Sequence, residues 1–239
     1  MKVVILSGGL GSRLGELTKL VPKPMINICR KPILSHIISH YYKYGYDDFI
    51  LATGYKSKII KDYYTNSDNY NDKVLTLIKN KKIKINPIFT GKNSMTGGRI
   101  KRLSKYLKNE KIFLLTYGDG ISDVNINKLV NFHNKQKRLA TVTAVHPTAR
   151  FGEIILKKNL VISFKEKPQT KKDWINGGFF VFNTKILKYI NNDKTILEGI
   201  PLEKLSKLNQ LSAYRHKGFW HCMDTPRDKK ILENLIKRK

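Results

Sequence analysis

Cysteine is scarce in this chain of 239 residues, which contains only Cys29 and Cys222. Two cysteines are too few for a disulfide framework or a zinc site, and they favour a reducing compartment. Long apolar runs are also missing, because none approaches the ~18 residues that a membrane-spanning helix requires. The N-terminal residues enter an apolar run directly, without the pattern of a cleaved signal peptide. We therefore expect a cytoplasmic protein that does not engage a membrane.

Acidic residues are few as well. The chain has 18 Asp and Glu against 46 Lys and Arg, which gives a formal net charge of +28. A nucleic-acid-binding protein would show such an excess, but here the basic residues are scattered over nearly every polar segment. This distribution favours a lysine-rich surface around a pocket for anionic small molecules, with no nucleic-acid partner. Nucleic-acid binding stays open as an alternative that rests on the charge alone.

Strands and helices alternate over the first 145 residues. Continuous apolar runs at 3–6, 49–53 and 112–116 predict buried strands. The other elements predicted in this part are helices at 31–45, 56–65, 98–108 and 124–136 and strands at 84–89 and 139–145, the first of these strands lying near an edge because it contains Pro87. The alternation predicts an α/β fold with a doubly wound, mostly parallel, Rossmann-like sheet.

The second part of the chain has a mixed character. Short strands near 153–156, 160–165 and 177–182 precede two final helices. Residues 66–80 are polar and rich in asparagine, and we expect them to form an excursion outside the core. Because neither an internal repeat nor a linker separates the parts, we predict a single domain over residues 1–239.

A glycine-rich loop follows the first strand. It contains Gly8, Gly9 and Gly11, whose backbone N–H groups can approach phosphate closely, and it ends in Ser12 and Arg13. Neither the dinucleotide fingerprint nor the P-loop fits, because the required glycine and Gly-Lys-Ser/Thr are absent. Downstream, Pro22-Lys23-Pro24 holds a lysine on a restricted backbone. This combination predicts a phosphate-binding site.

Two aspartates are predicted to hold a metal ion. Asp119 follows a buried strand, where open α/β sheets place their ligands. Asp224 precedes Thr225-Pro226-Arg227-Asp228, a helix start that already has its cap in Thr225 and its capping-box partner in Asp228. Two carboxylates from distant positions suit one Mg²⁺ bound to nucleotide phosphates.

Five ordered motifs together resemble the sugar-nucleotide pyrophosphorylase family. They are the loop Gly8-Gly9-Leu10-Gly11-Ser12-Arg13-Leu14 with Pro22-Lys23-Pro24, the element Tyr117-Gly118-Asp119-Gly120, the element Glu166-Lys167-Pro168, the strand Asn176-Gly177-Gly178, and the segment Trp220-His221-Cys222-Met223-Asp224-Thr225. The last of these and Ser94-Met95-Thr96-Gly97-Gly98-Arg99 look like the glucose-1-phosphate cytidylyltransferase branch. His221-Cys222 departs from the pattern, because the branch has a Gln-Pro-like pair there.

The resemblance implies a glycosyltransferase-A-like fold with a nucleotide-binding half (1–145) and a sugar-binding half with the C-terminal helices (146–239). It implies transfer of CMP from CTP to α-D-glucose 1-phosphate for surface-polysaccharide (O-antigen) precursors, with Mg²⁺, by a homo-oligomer. Arg13, Lys23, Asp119 and Asp224 are the expected catalytic residues. The expected nucleotide-binding residues are Leu6, Gly8, Gly9, Leu10, Gly11, Ser12, Arg13, Lys23, Thr90, Ser94, Arg99 and Gly118, and the expected sugar-phosphate residues are Tyr117, Glu166, Lys167, Asn176 and Gly178.

Several alternatives stay open. The same chemistry could use dTTP, UTP or GTP, or another sugar 1-phosphate, and a non-catalytic nucleotide-sugar binder would share the pocket. His36 and His40 have the i, i+4 spacing of a zinc helix, but the glutamate that such a helix needs is replaced by Ile37. We expect these histidines to be structural, and Cys222 to be a packed thiol.

Overall fold

The computed structural model describes residues 1–66, 72–147, 152–165 and 173–237. A central sheet runs in the order β12-β8-β11-β6-β1-β4-β5. All neighbouring pairs in it are parallel except the two made by β11, which is antiparallel to both β6 and β8. This arrangement confirms the α/β, mostly parallel fold, with the proline-containing strand β5 at one edge.

The elements alternate along the chain as follows. The strands are β1 (Lys2–Ser7), β2 (Asn27–Ile28), β3 (Lys31–Pro32), β4 (Asp48–Thr53), β5 (Lys84–Phe89), β6 (Ile112–Tyr117), β7 (Gly120–Ser122), β8 (Ala140–Val145), β9 (Glu153–Lys157), β10 (Leu160–Lys165), β11 (Ile175–Asn183), β12 (Leu211–Arg215) and β13 (Trp220–Cys222). The helices are α1 (Glu16–Leu20), α2 (Ile33–Tyr42), α3 (Ser57–Asn66), α4 (Lys73–Lys79), α5 (Thr96–Arg102), α6 (Ser104–Leu107), α7 (Ile126–Gln136), α8 (Ile200–Lys207) and α9 (Pro226–Lys237).

The central sheet is buried on both faces, which explains the unbroken apolar runs of its strands. In β1, Val3 and Ile5 face a layer that includes α2, α4, α7 and α9. Val4 and Leu6 face the opposite layer, to which α5, α6 and α8 contribute. Because successive side chains of a strand point to opposite faces, one short segment anchors both halves of the core.

Three expectations need correction. Residues 66–80 are not a simple excursion, because α4 lies there and buries Val74 and Leu75 in the core. The helix expected at 98–108 is divided at Leu103 into α5 and α6. Finally, five strands were not expected, namely β2, β3, β7, β12 and β13. They are short, and β12 lies half exposed at the sheet edge, so its sequence carries no strong apolar alternation.

The topology brings the ends of several strands to one edge. Strands β1, β4, β6 and β8 run in the same direction, so their carboxyl ends share this edge, where β11 begins. Open parallel sheets bind ligands at this edge. Within the described part of the chain, no helix is both long enough and apolar enough to cross a membrane.

Candidate active site

A cavity of about 550 Å³ opens at the carboxyl edge of the sheet. Its walls come from residues 8–13 after β1, from Lys23, from the segment 92–96, and from residues 117–119 after β6. Its size suits a nucleotide, since pockets for small molecules measure about 300–1,000 Å³. The glycine-rich loop and Ser94, which were predicted to bind nucleotide, therefore lie together around one cavity.

Glycine is required at two positions of this loop, because the backbone there lies very close to neighbouring side chains. Gly11 has φ of 67°, and a Cβ atom there would lie 2.9 Å from the Cβ of Lys23. Gly8 is buried, and a Cβ on it would lie inside the guanidinium group of Arg99. Any side chain at these positions would move the loop away from the segments that support it.

Arg99 joins three loops at the cavity wall. Its side chain is almost fully buried, and its guanidinium donates to the carbonyl oxygens of Gly8 at 2.8 Å and Gly91 at 2.7 Å. It also donates to the carbonyl of Thr53 at 3.2 Å and to the hydroxyl of Thr90 at 3.0 Å. The charge is thus distributed over neutral acceptors of the protein, and burial lowers the pKa of Arg99.

Two carboxylates meet at one ammonium group beside the loop. The Nζ of Lys23 lies 2.5 Å from Asp119 Oδ2 and 2.8 Å from Asp224 Oδ1. A guanidinium nitrogen of Arg13 lies 3.0 Å from Asp224 Oδ2, with most of the Arg13 side chain exposed. All four residues predicted to be catalytic are therefore in direct contact, although Asp119 and Asp224 are far apart in the chain.

A short antiparallel ladder brings the two aspartates together. Strand β7, just after Asp119, pairs with β13, just before Asp224, and Cys222 stands opposite Gly120. The backbone N–H of Met223 donates to the carbonyl of Asp119 at 2.8 Å, which extends the ladder to the carboxylates.

The helix after Asp224 has its own cap, as predicted. The Asp228 carboxylate accepts from the backbone N–H of Thr225 at 2.7 Å, and the Asp228 N–H donates to the Thr225 hydroxyl at 3.3 Å. This reciprocal pair is a capping box. The Asp224 side chain is not needed for the cap and points to Lys23 and Arg13 instead.

Opposite charges fix the ionisation of the cluster. Burial disfavours the charged form of Lys23, but the nearby carboxylates outweigh burial and raise the pKa of Lys23 above its usual value. Burial acts to raise the pKa of Asp224, whereas Lys23 and Arg13 lower it, and the pKa of Asp224 ends below its usual value. Lys23 and Asp224 therefore hold their charges at neutral pH.

The carboxylate pair is of the kind that binds a metal ion together with substrate phosphates. In the described ranges, no group of three or more His, Cys, Asp or Glu side chains lies close enough to hold a metal ion. Asp119 and Asp224 form a pair, and Mg²⁺ usually takes one or two protein carboxylates together with substrate phosphates and water. Because both aspartates reach one ammonium nitrogen, both can also reach one cation.

The expected sugar side lies across Tyr117. The Asn176 amide donates to the Tyr117 hydroxyl at 3.0 Å, and Gly178, with φ of 76°, packs against the Tyr117 ring. Glu166 and Lys167, which were predicted to bind the sugar phosphate, lie outside the described residues.

One residue predicted to bind nucleotide lies behind the cavity wall, and several residues that line the cavity were not predicted. Thr90 is fully buried behind the cavity, where its hydroxyl donates to the Thr53 carbonyl at 2.8 Å and accepts from Arg99. Sequence reasoning did not assign roles to several residues that line the cavity, namely Pro24, Lys92, Asn93, Met95 and Thr96. The sequence did contain a signal for some of them, because Met95 and Thr96 stand inside the motif that ends at Arg99.

The discounted features are structural, as expected. His36 and His40 each have a ring nitrogen 2.9 Å from a backbone carbonyl oxygen, that of Ile28 and that of Val124. Burial and the charge of Asp224 raise the pKa of the Cys222 thiol to about 12, so this thiol is unreactive at neutral pH.

A glycine-rich loop, a buried lysine and a carboxylate pair at the edge of a mostly parallel sheet are the parts of a nucleotidyl-transfer site. The family model described as nucleotidyl transferase matches residues 2–224, and the chain belongs to this family. It is 43% identical over 245 residues to glucose-1-phosphate cytidylyltransferase of Salmonella typhimurium, with 98% of this chain and 95% of that protein covered. The resemblance to this enzyme family and its cytidylyltransferase branch is confirmed.

Two further relatives show the breadth of the family. D-glycero-α-D-manno-heptose 1-phosphate guanylyltransferase of Campylobacter jejuni is 34% identical over 210 residues, covering 87% of this chain and 86% of that protein. A crystal structure of UDP-glucose pyrophosphorylase complexed with UDP-glucose superposes with a TM-score of 0.76 at 17% identity, covering 99% of this chain and 98% of that one. The second similarity establishes the shared fold.

Proposed function

We propose that this protein transfers CMP from CTP to α-D-glucose 1-phosphate and releases CDP-glucose and pyrophosphate. The observation that carries the chemistry is the convergence of Lys23, Arg13, Asp119 and Asp224 beside the glycine-rich loop. The choice of substrates is supported by the 43% identity to a glucose-1-phosphate cytidylyltransferase over nearly the whole chain.

The reaction is an in-line displacement at the α-phosphorus of CTP. A phosphate oxygen of the sugar 1-phosphate forms a new bond to the α-phosphorus. The bond between the α-phosphorus and the oxygen that bridges to the β-phosphate breaks, and that oxygen leaves with pyrophosphate. The attacking oxygen is already ionised, so no general base is required. The protein therefore acts by positioning the two anions and by stabilising negative charge.

The charged cluster supplies both actions. We assign Lys23 to the reacting phosphates, because its ammonium is buried at the cavity wall and points to the carboxylate pair. Arg13 is largely exposed at the end of the loop, and we assign it to the departing pyrophosphate. Asp119 and Asp224 would hold Mg²⁺, which supplies charge neutralisation on the phosphates when bound.

The cavity divides into a nucleotide side and a sugar side. On the nucleotide side, backbone groups of residues 6–10 and the buried Ser94 are proposed to select the base. Gly118 closes this side, because its N–H donates to the Leu6 carbonyl at 3.0 Å and a Cβ atom would collide with that oxygen. On the sugar side we assign Tyr117, Asn176 and Gly178, with Glu166 and Lys167 as partners of the sugar phosphate by resemblance.

One comparison supports a different nucleotide as the substrate. The 34% identity to a heptose 1-phosphate guanylyltransferase keeps GTP and a different sugar 1-phosphate as the competing pair. Both proposals use the same cluster and differ only in the residues that contact base and sugar.

A pyrophosphate-release assay tests the proposal. The purified protein is supplied with Mg²⁺, each of CTP, dTTP, UTP and GTP, and a panel of sugar 1-phosphates that includes glucose and mannose. We expect turnover with CTP and glucose 1-phosphate, and none after removal of Mg²⁺ with EDTA. Preference for another nucleotide would refute the cytidylyl assignment, and absence of turnover with every pair would refute the enzymatic function.

The cellular location and the oligomeric state complete the proposal. We propose a cytoplasmic location, where the product would enter surface-polysaccharide synthesis. We also propose a homo-oligomer, supported by the hairpin of β9 and β10, whose apolar residues are exposed, among them Ile154, Leu160 and Phe164 at 48%, 72% and 65%. An isolated two-stranded hairpin is marginally stable, and exposed apolar patches of this kind mark interaction sites.

A further inference from the structure

Glu198 joins three segments at the cavity wall, although no motif of the sequence includes it. It lies in the loop before α8, and its carboxylate accepts hydrogen bonds from two hydroxyl groups. One comes from Tyr117 at the end of β6, and the other comes from Thr96 at the start of α5, at 2.6 Å. Tyr117 and Thr96 both line the cavity, so Glu198 lies directly behind its wall.

The hydrogen bonds of this cluster can run in only one direction. The Oδ1 atom of Asn176 accepts from the backbone N–H of Gly178 at 2.8 Å, which turns the Asn176 amide nitrogen toward Tyr117. Because that nitrogen can only donate, the Tyr117 oxygen accepts, and its own proton must go to Glu198.

The hydroxyl of Thr96 has the same constraint. It accepts from the backbone N–H of Leu197 at 2.9 Å, so its proton also goes to Glu198. A carboxylate meets both demands, since it offers acceptors only. The pKa of Tyr117 agrees, because burial and the Glu198 charge raise it above its usual value and keep the proton on the phenol.

We propose that Glu198 is a positioning residue for the sugar 1-phosphate: it fixes the rotation of the Tyr117 hydroxyl so that the Tyr117 oxygen accepts from the Asn176 amide, and this bond, together with the one from the Gly178 N–H, holds that amide in place. Asn176 is exposed, and its second amide N–H has no partner within the described residues. That N–H is presented to an acceptor, such as a sugar hydroxyl oxygen. This inference rests on the proposed function, whose sugar side it specifies.

The variant Glu198→Gln tests the direction of the bonds with little change in volume. Its amide offers one acceptor and one donor group, whereas both neighbouring hydroxyls must donate. One hydroxyl proton is then left without an acceptor, so the Tyr117 hydroxyl is no longer fixed in rotation and the Asn176 amide loses one of the two bonds that hold it. We expect the KM for the sugar 1-phosphate to rise about tenfold, as for the loss of one hydrogen bond, with the KM for CTP within about twofold of wild type.

Tyr117→Phe provides a second variant that does not change Glu198. It removes the hydroxyl that links Glu198 to Asn176, so it should give the same selective rise in KM. The double variant should be no worse than the more affected single variant, because both changes break one chain of bonds. Glu203→Gln is the matched control: Glu203 is exposed on α8 and should leave both KM values unchanged.

The outcomes separate this inference from the function on which it rests. If wild type turns over CTP and glucose 1-phosphate but Glu198→Gln and Tyr117→Phe leave the sugar KM unchanged, or raise both KM values equally, the positioning role is refuted and the function stands. Additive effects in the double variant would also refute it. If wild type turns over no pair, the proposed function fails and the inference fails with it. If the wild type turns over a sugar 1-phosphate other than glucose 1-phosphate, the variants are compared by their KM for that substrate.

Discussion

Replacement of Arg99 by lysine should weaken both the fold and nucleotide binding. The guanidinium reaches carbonyl oxygens on opposite sides, those of Gly8 and Gly91, at 2.8 and 2.7 Å. A lysine ammonium is a single point on a differently shaped chain, so it cannot serve both sides. At least one buried carbonyl is then left without its charged donor.

The structure sets the size of the effect. A hydrogen bond to a charged group contributes about 1.5–3 kcal/mol, and an unsatisfied buried acceptor costs about 1–3 kcal/mol. We expect Arg99→Lys to lower the free energy of unfolding by about 2–3 kcal/mol. For a domain of this size, that change corresponds to a fall in Tm of roughly 4–12 °C. Since the Gly8 carbonyl belongs to the glycine-rich loop, which we propose binds the nucleotide phosphates, the KM for CTP should rise about tenfold.

Thermal unfolding and pyrophosphate release measure the two effects. Arg102→Lys is the control, because Arg102 lies on the same helix with a half-exposed side chain and pairs with the exposed Asp193. Exposed ion pairs contribute about 0–1 kcal/mol, so this variant should behave like wild type. The reasoning is refuted if Arg99→Lys unfolds at the temperature of Arg102→Lys and keeps the wild-type KM for CTP.

The remaining predictions concern the carboxylate pair proposed to hold Mg²⁺, the buried histidines and the hairpin. Asp224→Asn should lower kcat about 10²-fold or more while the protein stays folded by circular dichroism, and near-wild-type kcat would remove this carboxylate from the site. Burial lowers the pKa values of His36 and His40 below 6.5, so the unfolded state takes up protons first as pH falls, and stability should decrease below about pH 6.5. In urea unfolding at pH 7.5 and 5.5, His40→Gln should reduce this loss by up to about 1.4 kcal/mol per pH unit, and an unchanged loss would contradict the assignment. Phe164→Glu should reduce the molar mass measured by light scattering, whereas an unchanged mass would exclude the hairpin as the contact between subunits.

Much of the site was predictable because its chemistry is local in the sequence. The glycines of the loop, the lysine between two prolines and the aspartate after β6 each stand in a short motif whose backbone demands restrict the residues allowed. The apolar runs of β1 and β6 were equally clear, because both faces of these strands are buried. The placement of Asp119 beside the glycine-rich loop follows from β1 and β6, which are parallel neighbours and end at the same edge of the sheet.

Other features depend on contacts between distant residues. Strand β13 has only three residues and is defined by its pairing with β7, so its own sequence does not identify it. Helix α4 contributes Val74 and Leu75 to the core from within a polar segment. Glu198 belongs to the site through Thr96 and Tyr117, which precede it by 102 and 81 residues along the chain. No local pattern reports such a contact.

The ladder between β7 and β13 also bears on how the protein comes to be active during its synthesis. The loop, Lys23 and Asp119 emerge from the ribosome early, and the strands that support them can already pair. Asp224 arrives about a hundred residues later and takes its place only when β13 docks on β7. Domains are translated at about 5–20 residues per second, so the growing chain spends several seconds with its first carboxylate but without its second. Nascent chains should thus stay without catalytic competence until β13 has been made, long after the loop, Lys23 and Asp119.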